Sequence, residues 1–236
     1  MAIATDDAWR PLSACADVRV LKYSWGPASA NALAVRLRAG GWLVVSPPRG
    51  TPPARQEELA ADGGVFALLA PNAYHYLGQA DWRRRFPTAS SWAPSGALER
   101  IAGKTRGAPF GRAEELANEL PENVVLVFPD GQKTPDLLLR ITSQTGEIIW
   151  WLGDLFSNTT AADQIWPLRV LSRLAGSGPG YRRNARPELV YVRNREAWLS
   201  SVRSVLVANP PTVVVPAHGD PVLVDAARRT AEVVKG

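Results

Sequence analysis

Apolar residues in this chain fall into short runs of strand length, punctuated by glycine and proline. Residues 18–25 and 31–38 read as strands, and Gly40-Gly41 separates the second from residues 42–45 in the manner of a hairpin. Ser46, Pro47 and Pro48 stop that strand, because proline has no N–H to give a ladder. Residues 55–62 are predicted to be helical and to close at Gly63-Gly64. A buried strand at 65–69, a helix at 79–86 ended by Pro87, and a short strand at 90–93 follow. The second half repeats the alternation: a helix at 112–120, then strands at 123–128, 136–142 and 147–152, with Gln144-Thr145-Gly146 as the turn between the last two. A helix is expected over 161–175, then a glycine-rich loop at 176–180. Asn194 is placed to cap a helix that turns Trp198, Leu199, Val202, Val205 and Leu206 to one face. A strand at 212–215 and a helix at 222–234 end the pattern.

Hairpins first, then strand–helix alternation in both halves, predict an α+β chain with two sheets sandwiched between helices, an αββα arrangement of four layers. No linker or repeat divides it, so residues 1–236 are expected to form one domain, and 46% apolar content suffices for a full core. Trp150-Trp151 are adjacent on a strand and are expected to send one ring to each face, and so one into the core.

Composition removes several function classes. No apolar stretch reaches membrane-spanning length, and the first ten residues lack a signal-peptide apolar core. Cys15 is the one cysteine, which excludes a disulfide framework and a cysteine-built zinc site; a cytoplasmic protein is the expectation. The net charge is +5, nearly all from arginine, but acidic residues are interleaved and no basic run extends beyond Arg83-Arg84-Arg85, so neither nucleic acid nor membrane is an expected partner. There is no phosphate-binding Walker loop, and 176–180 follows a helix instead of preceding one. Ser95-Gly96 lacks the nucleophile-elbow pattern.

What remains is the chain's two histidines and one aspartate, each at the end of an apolar run. His75 ends a run that begins at Leu68, Asp154 follows Ile148-Ile149-Trp150-Trp151-Leu152-Gly153, and His218 follows Val213-Val214-Val215-Pro216-Ala217. Imidazole and carboxylate together suit zinc, iron or manganese. Asp220 either orients His218 or serves its turn.

The order of segments from about residue 31 to 221 resembles the metallo-β-lactamase fold. Ser46-Pro47-Pro48 stands where metal-bearing members carry an Asp-Thr-Gly turn. Segment 68–78 stands where they carry His-x-His-x-Asp-His, which puts Pro71 and Ala73 at the first two histidine positions, His75 at the aspartate and Tyr76 at the last histidine. Thr134-Pro135 is similar to the family's Gly-His-Thr-Pro turn, with Lys133 at the histidine. Gly153-Asp154-Leu155 matches the turn of the bridging aspartate, and Pro216-Ala217-His218-Gly219 the Pro-Gly-His-Gly turn. The pattern looks like a branch that has lost the standard metal motif. The resemblance implies that the first metal's ligand positions, Pro71, Ala73 and Lys133, are erased, while the second's, His75, Tyr76, Asp154 and His218, keep donors.

Two functions fit that expectation. One is a pseudoenzyme that binds a small molecule or partner in the inherited cleft, with no cofactor; here Lys133 is free to pair with Asp154 in place of a metal. The other is a hydrolase of an ester, amide or related bond, with one divalent metal on His75, Asp154 and His218. Asp154, His218 and Lys133 are the catalytic candidates.

Overall fold

The computed structural model describes residues 3, 5–37, 40–174 and 178–235. The ends of three expected elements, Arg38, Ala175 and the start of the glycine-rich loop at 176–177, lie outside the described residues.

The first half lays down β1 (Arg10–Pro11), β2 (Val18–Ser24), β3 (Ser29–Arg36), β4 (Trp42–Val45), β5 (Val65–Leu69), β6 (Ser90–Ala93) and β7 (Gly111–Arg112), which form one seven-stranded sheet in chain order. β1 to β4 pair antiparallel, as hairpins must, and β4 to β7 pair parallel through helical crossovers. The helices of this half are α1 (Pro53–Ala61), α2 (Gln79–Arg85), α3 (Leu98–Thr105) and α4 (Ala113–Glu119). The second half adds β8 (Val124–Val127), β9 (Leu138–Thr142), β10 (Ile148–Trp151), β11 (Phe156–Thr159), β12 (Gly180–Arg183), β13 (Val213–Val215) and β14 (His218–Gly219). A four-stranded sheet runs β13-β10-β9-β8, and a three-stranded one runs β12-β11-β14. The remaining helices are α5 (Trp166–Leu174), α6 (Ala185–Tyr191), α7 (Arg195–Ala208) and α8 (Ala226–Val233).

Strand periodicity sorts the side chains into layers. Leu33, Val35, Leu43, Val45, Ala67 and Leu69 face Leu139, Ile141, Ile149, Trp151, Val213 and Val215 of the opposing sheet in one dry core. Their neighbours Ala32, Ala34, Trp42, Val44 and Leu68 point the other way, against Leu59 of α1 and Trp82 of α2. Trp150 and Val214 do the same on the second sheet, against Trp198, Leu199, Val202 and Leu206 of α7 and Ala226 of α8. The expected αββα sandwich is the observed one. Trp150 and Trp151 do take opposite faces, but both are fully buried, because α7 roofs the outer one. Asn194 caps α7 through Ala197 N–H (3.1 Å), as its position predicts.

Several elements depart from the periodicity. The helix expected over 161–175 is two pieces: a turn at Ala161–Asp163 closed by a Thr160/Asp163 capping box, then α5 from Trp166. The last helix begins at Ala226 and not at residue 222, because Val222 bridges Val214 and extends the sheet edge. α3 and α6 were not expected: Leu98 and Ile101 give too short an apolar stripe, and Pro187 interrupts α6 in sequence while sitting harmlessly in its first turn. Among the described residues, no helix is long and apolar enough to cross a membrane.

Candidate functional site

Parallel pairing brings the chemistry together. β10 and β13 run parallel, so the turns after them, carrying Asp154 and His218, emerge side by side. β4 and β5 run parallel in the other sheet, so Ser46 and the 70–76 segment emerge at the same end of the sandwich. β14 then pairs parallel with β11, Ser157 opposite His218, which holds the histidine beside the Asp154 turn. Asn31 of β3 ties the two sheets here, its amide donating to the Pro216 and Gly219 carbonyls (2.8 and 2.7 Å).

Asp154 is the hub. Its Oδ1 lies 2.8 Å from His75 Nε2 and 3.2 Å from His218 Nε2, and its Oδ2 accepts from the Tyr191 hydroxyl (2.6 Å) and from Asn72 Nδ2 (3.2 Å). The carboxylate and both imidazoles offer ligand atoms all within 4.8 Å of one another. Of the candidates named from sequence, the fold brings His75, Asp154 and His218 together. Tyr76 lines the same cavity. Pro71 and Ala73 are buried and carry no donor side chain.

Lys133 is elsewhere. Its ammonium donates to the Leu189 carbonyl (2.6 Å), and its backbone N–H, with that of Thr134, donates to the Tyr191 carbonyl (2.8 and 3.2 Å). These contacts lash residues 133–134 to α6, so the Lys133–Asp154 pairing conceived from sequence is not formed. The two imidazoles meet the Asp154 carboxyl instead. Asp220 likewise does not orient His218: its carboxylate meets Lys22, and the Ser29 carbonyl takes His218 Nδ1 (2.8 Å).

The turn that aims Asp154 rests on a second carboxyl group. Asp136, fully buried, accepts the Asp154 and Leu155 N–H groups (2.9 and 3.2 Å) and Asn72 Nδ2 (2.9 Å). Asn72 Oδ1 accepts the Tyr74 and His75 N–H groups, so one amide links both acids to the histidine's turn. On the far side of His75, Ser46 Oγ lies 2.6 Å from Nδ1 and 3.3 Å from the Tyr23 hydroxyl. Ser46 adopts a left-handed backbone (φ 53°) while buried, strain held at the site by its surroundings. Ser46, Asn72, Asp136 and Tyr191 were not named as site residues from sequence. Asp136 carried a usable signal, an acid immediately before the apolar run Leu137-Leu138-Leu139.

Electrostatics separate the two acids. Burial opposes ionisation of Asp154, but the His75 charge and the hydrogen bonds from both imidazoles outweigh it and hold the carboxyl well below the usual range. Burial and the Asp154 charge push Asp136 well above that range. Burial also opposes a charge on His218, yet the Asp154 hydrogen bond and charge raise its pKa above the ordinary 6.5. Burial keeps the Tyr23 phenol protonated, pushed up to about 12, and raises Tyr191 further still with help from Asp154.

These directions set a pH profile for the metal-free protein. The His218 contribution is complete below pH 6.5 and is lost as pH rises through the elevated folded value. Asp154 has the opposite sign: its contribution is present above 3.8 and is lost as pH falls through the depressed value. Asp136, raised, contributes a decline that starts above 3.8. The expected result is a fall in urea midpoint above pH 6.5 that His218→Asn flattens; an unchanged slope in that variant would assign the fall to another group.

His218 is buttressed from behind. Lys22 pairs with Asp163 (2.9 Å) and Asp220, and Ser29 Oγ donates to Asp163 (2.8 Å) from the residue whose carbonyl holds the imidazole. Asp163 is fully buried, so Lys22→Met strands its charge. The expected cost is about 3 kcal/mol in chemical denaturation; a loss under about 1 kcal/mol would mean that the pair is dispensable.

The cluster opens into a cavity of about 520 Å³ walled by Tyr23, Trp25, Tyr74, Tyr76, Leu77 and Tyr191 and edged by Arg100 and Arg186. His218 is its most accessible metal-capable side chain (27% exposed, against 8% for His75 and 10% for Asp154).

No known family model and no curated protein matches the sequence. Solved structures do match. A metallo-β-lactamase from Pontibacter korlensis is 14% identical with a TM-score of 0.59, over 99% of this chain and 100% of that one. One from Erythrobacter litoralis is 18% identical (TM-score 0.59), with coverage of 96% and 95%, and one from Hirschia baltica is 14% identical (TM-score 0.54), with coverage of 99% and 98%. At such identities the likeness speaks for architecture alone, and over its whole length the chain has the metallo-β-lactamase fold.

Proposed function

We propose that this chain holds one divalent metal ion, zinc, iron or manganese, on His75 Nε2, His218 Nε2 and Asp154 Oδ1, and hydrolyses an ester, amide or related bond in a small molecule seated in the cavity. One observation carries the reading. The Ser29 carbonyl can only accept, so His218 Nδ1 bears the proton, and a neutral His218 then aims the Nε2 lone pair at a carboxylate oxygen 3.2 Å away. Two acceptors facing each other call for a cation between them. Two imidazoles and a carboxylate are also a donor set that zinc and iron accept.

When bound, such an ion supplies Lewis acidity and lowers the pKa of a water in its open position. The chain's own groups do the rest. Ser46 and the Ser29 carbonyl take the Nδ1 protons and fix both imidazoles with Nε2 toward the cluster. Tyr191, kept protonated, donates to Asp154 Oδ2 and leaves Oδ1 as the ligand oxygen. Tyr74 and Tyr76 exclude bulk water from that wall. Pro71 and Ala73 offer nothing and Lys133 points away, which supports one metal and not a pair and fits a branch without the standard motif. An exposed, unpaired Cys15 goes with a reducing, cytoplasmic setting.

A second reading is favoured by the elevated His218 pKa: once that ring is protonated, it donates to Asp154 and the site is satisfied without metal. The chain is then a non-catalytic binder in an inherited cleft. Turnover of a panel of aryl esters, anilides and lactones by zinc- or manganese-loaded protein separates the two. Hydrolysis lost in His218→Ala supports the enzyme; no turnover by a metal-loaded protein would leave the binder.

A further inference from the structure

The rim of the cavity carries an asymmetry of charge that the metal cluster does not use. Arg100 of α3 and Arg186 of α6 both line it, and among the described residues neither guanidinium has a hydrogen bond or a carboxylate partner. Elsewhere the chain pairs many of its arginines: Arg19 and Arg36 share Asp62, Arg85 meets Glu57, and Arg228 bridges Asp225 and Glu232. Among the described residues, the only acid lining the cavity is Asp154, and its oxygens are already taken by two imidazoles, Tyr191 and Asn72. Among the described residues, no carboxylate in the chamber is left to pair with the two guanidinium groups.

Arg100 also has a ring partner in the cavity wall. Arg100 lies over the Tyr74 ring, guanidinium carbon 4.3 Å from the centroid, and Tyr74 packs edge-on against Tyr191 (5.6 Å), whose hydroxyl holds Asp154. A cation–π contact of this kind uses no N–H donor, so the guanidinium keeps its donors for an anion. The same cavity is otherwise lined largely by aromatic and aliphatic side chains, Tyr74, Tyr76, Leu77 and Trp25 among them. A ligand matched to such a chamber is apolar in its body and negative at one end.

We propose that the cavity binds apolar, anion-bearing molecules, an aromatic or aliphatic body with a carboxylate, sulfonate or phosphate held by Arg100 and Arg186. This names the substrate class of the site proposed above and rests on that reading. Its test reads binding alone, so failure of hydrolysis or of metal uptake leaves the result interpretable.

The matched probes are 8-anilinonaphthalene-1-sulfonate and N-phenyl-1-naphthylamine, the same rings with and without the anion, titrated by fluorescence into the full chain, chelator-treated and zinc-loaded. The sulfonate is expected to bind about 10-fold tighter than the neutral amine, one per chain, and to weaken as salt is raised. Arg100→Ala and Arg186→Ala should each lower its affinity by roughly 5-fold, and together by roughly 25-fold, with the neutral probe unchanged. Both side chains are exposed, so the variants should keep the melting temperature within about 2 °C. Arg100→Lys keeps the charge but not the fork, and should recover only part of the loss. Equal affinity for the two probes, or arginine variants that weaken both alike or neither, would overturn the proposal.

Discussion

Asp154→Ala is expected to abolish metal binding and to lower the stability of the metal-free chain by about 4 kcal/mol. The residue is the meeting point of four side chains, His75, His218, Tyr191 and Asn72, in a buried setting. Truncation deletes the one carboxylate of the proposed metal site and strands the Tyr191 hydroxyl, an orphan donor costing about 1–3 kcal/mol. It also leaves the His218 charge unanswered, so that ring should titrate at lower pH. One effect runs the other way: Asp136 loses a like-charged neighbour and becomes easier to ionise. Asp154→Asn separates the two roles. Its amide oxygen still accepts from Tyr191, so stability should fall by only about 1 kcal/mol while metal affinity drops at least 100-fold. Metal per chain and urea midpoints on both variants check this. Wild-type metal content in Asp154→Ala would remove the residue from the site.

Gly153→Ala is the second large effect and acts with no change of charge. Gly153 has φ 62°, and a Cβ there would stand 2.5 Å from both Asp136 carboxylate oxygens. Asp136 is fully buried and held by Asn72 and two backbone N–H groups, so it has nowhere to move. Left-handed strain of about 1 kcal/mol and overlap of about 3 kcal/mol together give a loss near 4 kcal/mol. Gly146→Ala is the matched control, with φ 88° and open space around its Cβ, and should cost about 1 kcal/mol. Equal losses in the two variants would mean that the close approach of Asp136 is not what requires glycine at 153.

The layers of the fold were legible because burial is periodic. Alternation in β3, β4 and β5 sorts each residue to the inter-sheet core or to the helices, and the α7 stripe marks its buried face. Elements fixed by long-range contacts were not legible: β14 is two residues that become a strand by pairing with β11, and α6 carries no apolar stripe that a sequence window can recognise. The site divides along the same line. His75, Asp154 and His218 could be named because rare chemistry sits at the ends of apolar runs. Lys133 was drawn toward Asp154 by a short Thr-Pro likeness, and the fold spends it on the Leu189 carbonyl. The polar residues that aim the cluster, Ser46, Asn72 and Asp136, are common types whose meaning appears only when two sheets bring their strand ends together.

Metal stoichiometry tests the central claim most directly. The 236-residue chain purified without chelator, and the same chain stripped and reloaded with zinc, should each carry about one ion per chain by elemental analysis. His218→Ala and Asp154→Ala, handled identically, should fall to background. No ion above background in the reloaded wild-type protein, or two ions retained in either variant, would contradict a single site built on His75, Asp154 and His218.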